Sequence, residues 1–278
     1  MENLQASAPV YKALTIAGSD SGGGAGIQAD LKTFSALGAY GASVITALTA
    51  QNTLGVQGIY EVSPEFVYQQ IESVMCDIGT DAAKTGMLFN AAVIEAVSQA
   101  LRRFGPQKLV VDPVMYAKSG HALLLPEAVS AMCEKIMPLA YLVTPNIPEA
   151  EALAGMKIEN EPDIHEAARR IKGLGARNVL IKGGHLAGET SPDFLFEDES
   201  FKVLEAPRLP TKNSHGTGCT LSAAITALLA RNFSLGDAVT GAKEYLTGAL
   251  AAAPTIGAGH SPVAHFYRLQ ETIFNRNI

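Results

Sequence analysis

The sequence predicts an α/β fold in which helices cover both faces of a mostly parallel sheet, with an antiparallel hairpin at one edge. Three observations predict it. Short apolar runs alternate with amphipathic segments along most of the chain. One acidic, tightly connected pair of runs near residue 200 breaks that alternation. Across all 278 residues there is no compositional break, so the chain reads as one domain, 1–278, long enough to bury a full core.

Each element has its own signal. The runs ALTIAG (13–18), SVITALTA (43–50), DAAKTGM (81–87), KLVVDPV (108–114), YLVTPN (141–146) and NVLIKGG (178–184) read as strands. Between them, apolar residues at helical spacing predict helices over 26–37, 64–76, 91–104, 126–137, 148–155 and 163–174. Strand and helix in alternation imply a parallel sheet with both faces covered. DFLFED and FKVLEA (193–206) read as the edge hairpin, and two long helices, about 217–231 and 235–252, close the chain. In such sheets the ligand crevice lies beyond the carboxyl ends of the strands, so the loops there are where chemistry is sought.

Composition excludes several function classes. With 21 basic and 27 acidic residues the formal charge is −6, which disfavours a broad grip on nucleic acid or an anionic membrane. No stretch of about 18 uninterrupted apolar residues occurs, and MENLQASAPVYK lacks a basic flank followed by an apolar core, so a soluble, cytoplasmic protein is expected. The three cysteines form no CxxC pair and no metal-ligand spacing, which suits a reducing compartment and argues against structural zinc. Cys76 and Cys133 fall within helical runs and are expected to be buried.

Six loops carry the unusual residues. GSDSGGGAGIQAD (18–30) joins the first strand to a helix but spells neither GxGxxG nor a P-loop, so its glycines are read as letting a small substrate approach the backbone. Asp30 and Gln51 are either ordinary cap and surface residues or a carboxylate and an amide bracketing a heteroaromatic ring edge. Asp112, Asn146 and Glu149 suit helix capping, and equally suit Mg²⁺ held largely through water. Lys182 ends an apolar run beside two glycines, a place from which an ammonium meets a phosphate. HGTGCTLSAAITALLAR (215–231) is the strongest signal, because the amides of Gly216, Thr217, Gly218 and Cys219 open a helix as an anion hole. The same helix end is expected to lower the Cys219 pKa, leaving a thiolate able to take a proton from a substrate hydroxyl.

Taken in order, LTIAGSDSGGGAGIQADLKTFSALGAYGASVITALTAQNT, KTGML, DPVMYAKSG, TPNIPEAE, IKGGH and HGTGCTLSAA resemble the ribokinase-like superfamily, and within it the bacterial hydroxymethylpyrimidine/phosphomethylpyrimidine kinases of thiamine biosynthesis, over roughly residues 12 to 268. The resemblance implies a three-layer α/β/α fold and ATP-dependent phosphorylation of 4-amino-5-hydroxymethyl-2-methylpyrimidine and then of its monophosphate. It implies Asp30 and Gln51 as the pyrimidine readers, with Gly18, Met87 and Val114 around them. It implies Asn146, Lys182, Lys212 and Thr217 on the nucleotide, and Asp112 and Glu149 near Mg²⁺. Gly216 and Gly218 belong to the anion hole, Lys182 to the phosphates, and Cys219 stands where many sugar kinases of the superfamily carry an aspartate base. YAKSGH (116–121) is expected as a flap over the substrate, without the cysteine found there in relatives that prefer pyridoxal. A homodimer is expected of the family. Two other readings stay open, a kinase whose main substrate is a B6 vitamer and a non-catalytic pyrimidine sensor.

Overall fold

The computed structural model describes residues 9–116, 123–184, 188–198 and 200–269. Its elements run β1 (Lys12–Asp20), α1 (Gly26–Ala36), β2 (Tyr40–Asn52), β3 (Gly55–Glu61), α2 (Pro64–Asp77), β4 (Ala82–Thr85), α3 (Ala91–Phe104), β5 (Leu109–Val111), α4 (Pro126–Ala131) and β6 (Leu142–Val143). They continue α5 (Ile147–Ala154), α6 (Glu161–Gly173), β7 (Asn178–Lys182), β8 (Asp193–Glu197), β9 (Ser200–Leu204), α7 (Thr217–Ala230) and α8 (Leu235–Ala251).

One nine-stranded sheet has the order β3-β2-β1-β4-β5-β6-β7-β8-β9. The strands from β2 through β7 pair in parallel, whereas β3, β8 and β9 pair antiparallel. The expected α/β class with a mostly parallel sheet and an edge hairpin is therefore present. The sheet also has a second antiparallel edge that the sequence reading omitted. β3 hides from pattern analysis because it is largely exposed and carries Gly55, Gln57 and Gly58, which gives it no apolar run.

The strands bury both faces. Leu14 and Ile16, Val179 and Ile181 point into one apolar cluster, while their neighbours Ala13 and Leu180 point into another. Helices α2 to α6 pack on the first side, and α1, α7 and α8 on the second. Helix α7 is buried from Thr220 to Ala230, lodged between the sheet and its neighbours, so its start is fixed against the strand ends. The helix expected over 126–137 runs as α4 and then a π turn, Met132–Ile136, before a 3₁₀ turn carrying Pro138 closes it. Of the expected flap, only Tyr116 lies within the described residues, and it is exposed. Among the described residues no helix is long and apolar enough to cross a membrane.

Candidate active site

A cavity of about 680 Å³ opens at the carboxyl ends of the parallel strands. At one end its wall is the loop after β1. Asp20 organises that loop: its carboxylate accepts the amides of Gly22, Gly24 and Ala25 at 2.8, 3.0 and 2.8 Å, and His215 Nε2 stands 2.9 Å away. Burial pushes the Asp20 carboxyl up, but the His215 bond and those amides outweigh it and hold the group below the usual carboxylate range.

His215 thereby ties the first glycine loop to the second. The loops touch so closely that a β-carbon at Gly216 would collide with the Gly24 carbonyl oxygen, and Gly216 has φ +77°, so both contact and conformation require glycine there. Gln51 reaches the same junction, its Nε2 3.3 Å from His215 Nε2, while Thr49 Oγ1 donates to its side-chain Oε1 at 3.1 Å. Gly18 and Met87 line the wall together, close enough that a β-carbon at Gly18 would meet the Met87 sulfur at 3.0 Å, and Val114 faces them.

Asp30 is not on that wall. Its carboxylate is fully buried, holding Lys84 Nζ at 2.9 Å through each oxygen and accepting from Thr15 Oγ1 at 2.7 Å. It is Lys84, from β4, that adjoins the cavity floor. Burial raises the Asp30 carboxyl; for Lys84, Asp30, Cys219 and Asp112 together overcome burial, so the lysine keeps its proton.

The other end of the cavity brings together a helix start and a lysine. Helix α7 starts on Gly216 with no side-chain cap, and the amides of Gly216 to Cys219 have no backbone acceptor among the described residues. They are the free donors of a helix N-terminus, and Thr217 and Gly218 line the cavity. Beside them Lys182, the last residue of β7, lies 2.9 Å from Asp112 Oδ1 and 3.9 Å from Glu149 Oε2. Asp112 is held below its usual range: burial raises it, but Lys182, Lys84 and bonds from Lys182 and Ser222 prevail. Burial lifts Glu149 to about 7 despite Lys182. Asn146 and Glu149 form a capping box on α5, at 2.8 and 2.9 Å, yet both also border the cavity. The two readings of that motif are thus compatible.

No group of three metal-ligating side chains occurs among the described residues. Two buried carboxylates beside the cavity, Asp112 and Glu149, nevertheless fit a hard cation that draws its remaining oxygens from a ligand and water. Lys212 is exposed and lines a smaller open groove with Arg208 and Thr211, next to the main cavity.

Two expectations about the cysteines need correction. Burial pushes the Cys219 thiol up to about 11, and neither Lys84 nor the Gly26 amide directed at it offsets that, so no standing thiolate exists in the unliganded protein. Cys76 is exposed rather than buried, because it falls on the outer side of α2, whose inward face is Val67 and Ile71. Sequence reasoning also missed four cavity residues. Lys84 was signalled by a lysine inside an apolar strand run, Asp20 by its place directly before the glycines, and His215 by its place directly before GTGC. Lys243, paired with Asp193 at 2.7 Å, gave no signal beyond its place in a helix.

The matching family model is that of phosphomethylpyrimidine kinase, and it matches residues 20–264. The chain is 52% identical over 258 residues to the hydroxymethylpyrimidine/phosphomethylpyrimidine kinase of Escherichia coli, covering 92% of this chain and 97% of that one. It is 52% identical over 269 residues to the thiamine biosynthesis bifunctional protein ThiED of Geobacter sulfurreducens, covering 97% of this chain but 55% of that protein, so it spans about half the latter's length. Among solved structures, the ADP complex of Bacillus subtilis pyridoxal kinase superposes with a TM-score of 0.87 at 39% identity, over 94% of this chain and 99% of that one.

Proposed function

The chain belongs to the phosphomethylpyrimidine kinase family, and from that premise we propose that it transfers the ATP γ-phosphoryl group to 4-amino-5-hydroxymethyl-2-methylpyrimidine and then to the resulting monophosphate, supplying the pyrophosphate for thiamine. The observation that carries this reading is the uncapped start of α7 directly beside Lys182 in the wall of one cavity, within a chain half identical to a named pyrimidine kinase.

Phosphoryl transfer asks a protein chiefly to position groups and to stabilise charge. The Gly216, Thr217, Gly218 and Cys219 amides receive the oxygens of the transferring group, and Lys182 faces them with a fixed positive charge, since Asp112 and Glu149 keep its pKa raised against burial. Asp112 and Glu149 are the residues that would hold Mg²⁺, which when bound neutralises phosphate charge. Asn146 and Lys212 complete the nucleotide side. On the acceptor side Gln51 reads the pyrimidine edge, Gly18, Met87 and Val114 flank the ring, and Asp30 contributes through Lys84. Cys219 takes the hydroxyl proton late, as the oxygen-to-phosphorus bond forms and the bond to the ADP oxygen breaks. The enzyme is read as a single kinase domain, a cytoplasmic protein and a homodimer.

A second reading, a kinase acting mainly on pyridoxal, is favoured by the closeness of the fold to a pyridoxal kinase. A coupled ADP-release assay decides between them through the ratio of kcat/KM for the two acceptors. The pyrimidine should win. A higher ratio for pyridoxal reverses the order, and pyrimidine binding with no turnover at millimolar substrate makes the protein a sensor.

A further inference from the structure

Lys84 and Asp30 have no direct contact with either substrate in this scheme, yet they are among the costliest groups in the molecule. Both side chains are fully shielded from water. Desolving two such ions costs several kcal/mol each, and apolar residues of similar size commonly serve stability as well or better. A purely structural role therefore does not account for the pair. Nor is the ammonium saturated: it has three N–H donors, and only the two Asp30 oxygens accept from it among the described residues.

Its surroundings suggest what the charge serves. Helix α7 packs against β4 and α1, and Lys84 and Cys219 border the same cavity floor. The Gly26 amide, at the start of α1, is directed at the Cys219 sulfur, which itself lies in the first turn of α7. The charged groups facing the thiol are Lys84 from β4, Asp30 from α1, Asp112 after β5 and Lys182 from β7. Of the two cations, Lys182 is tied to Asp112 and turned to the phosphate side, whereas Lys84 lies beneath the floor.

We infer that Lys84 is the counter-charge of the proton acceptor: held under the floor by Asp30, whose carboxylate Thr15 fixes in turn, its ammonium stabilises negative charge on the Cys219 sulfur. Asp30 is a positioning residue: its oxygens anchor the ammonium while its own charge opposes the thiolate, and in Asp30→Asn the amide oxygen keeps the anchor as that opposing charge is lost. From the small thiolate fraction that Lys84 enlarges, the sulfur accepts the proton of the substrate hydroxyl while that oxygen bonds to the γ-phosphorus and the bond to the ADP oxygen breaks, and the thiol so formed gives the proton to solvent. The inference rests on the proposed role of Cys219, but its test does not depend on turnover.

The two members of the pair act on the thiol with opposite sign, which a structural role does not predict. In a Cys76→Ser/Cys133→Ser background Cys219 is the sole thiol, and its alkylation by iodoacetamide at one fixed pH reports the thiolate fraction. Lys84→Met should slow alkylation about tenfold or more, and Asp30→Asn should speed it. Should Lys84→Met fold poorly, Lys84→Met/Asp30→Leu replaces the pair by apolar groups, and it too should alkylate more slowly than the parent. Unchanged rates, or rates moving the same way in both single variants, overturn the inference. If the signs are opposite while Cys219→Ala retains full kcat, the counter-charge stands and the base role falls.

Discussion

Two lysine–aspartate pairs lie near the carboxyl ends of strands in one sheet, with the same chemistry and the same contact distance. Lys84 meets Asp30 at 2.9 Å and Lys182 meets Asp112 at 2.9 Å. Their exposure separates them. Both members of the first pair are sealed at 0%, whereas Lys182 keeps 13% of its side-chain surface open to the cavity. The open pair is shared as well, since Asp112 accepts from Ser222 and Thr144, and Lys182 lies near Glu149. The open lysine is within direct reach of the cavity. The sealed one acts only through its field. Burial, rather than residue type, thus divides a ligand-binding charge from a supporting one.

Removing the sealed charge should have the largest effect on folding. Lys84→Ala leaves Asp30 buried and unpaired, a loss of about 3–5 kcal/mol readable by urea denaturation. Lys182→Ala should be milder in the same experiment, because water replaces the ammonium, but it should lower kcat by about a thousandfold. Equal unfolding costs would erase the distinction between the pairs. Cys219→Ala should lower kcat by one to three decades, about 10- to 1,000-fold, with little change in KM, since a base acts in the transition state. An unchanged kcat would reduce the thiol to a helix-start residue.

The smallest effect concerns pH and the far side of α7. His265 lies against Thr220 at 3.2 Å, and burial, with Lys32 nearby, lowers its pKa from 6.5 to about 4. The folded state therefore resists a proton that the unfolded state accepts. Stability should be intact above about pH 6.5 and fall by up to about 3 kcal/mol as pH drops toward 4. In His265→Gln that slope should flatten, as measured by thermal unfolding across the range.

How much of this was legible in the sequence follows the same division by burial. Parallel strands covered on both faces read as apolar runs, so β1, β2 and the strands from β4 to β7 announced themselves, and the acidic turn announced β8 and β9. Edge strand β3, open to solvent, did not. At the site, GTGC revealed its uncapped helix start because free amides follow from backbone geometry alone. Side-chain partnerships across the sheet do not follow from local sequence: Asp30 looked like a substrate contact until Lys84, 54 positions away, filled its oxygens. The Cys219 pKa was misjudged for a related reason. A helix end is visible in sequence, but the enclosure that outweighs it is a property of the assembled floor.

The central claim is that the hydroxymethyl oxygen of the pyrimidine receives the γ-phosphoryl group. Phosphorus NMR of the enzyme with ATP, Mg²⁺ and 4-amino-5-hydroxymethyl-2-methylpyrimidine tests it most directly. The expected result is a phosphomonoester resonance that grows as γ-phosphate is lost and then gives way to the paired signals of a pyrophosphate ester. Loss of γ-phosphate to inorganic phosphate alone, or an unchanged ATP spectrum, would contradict it.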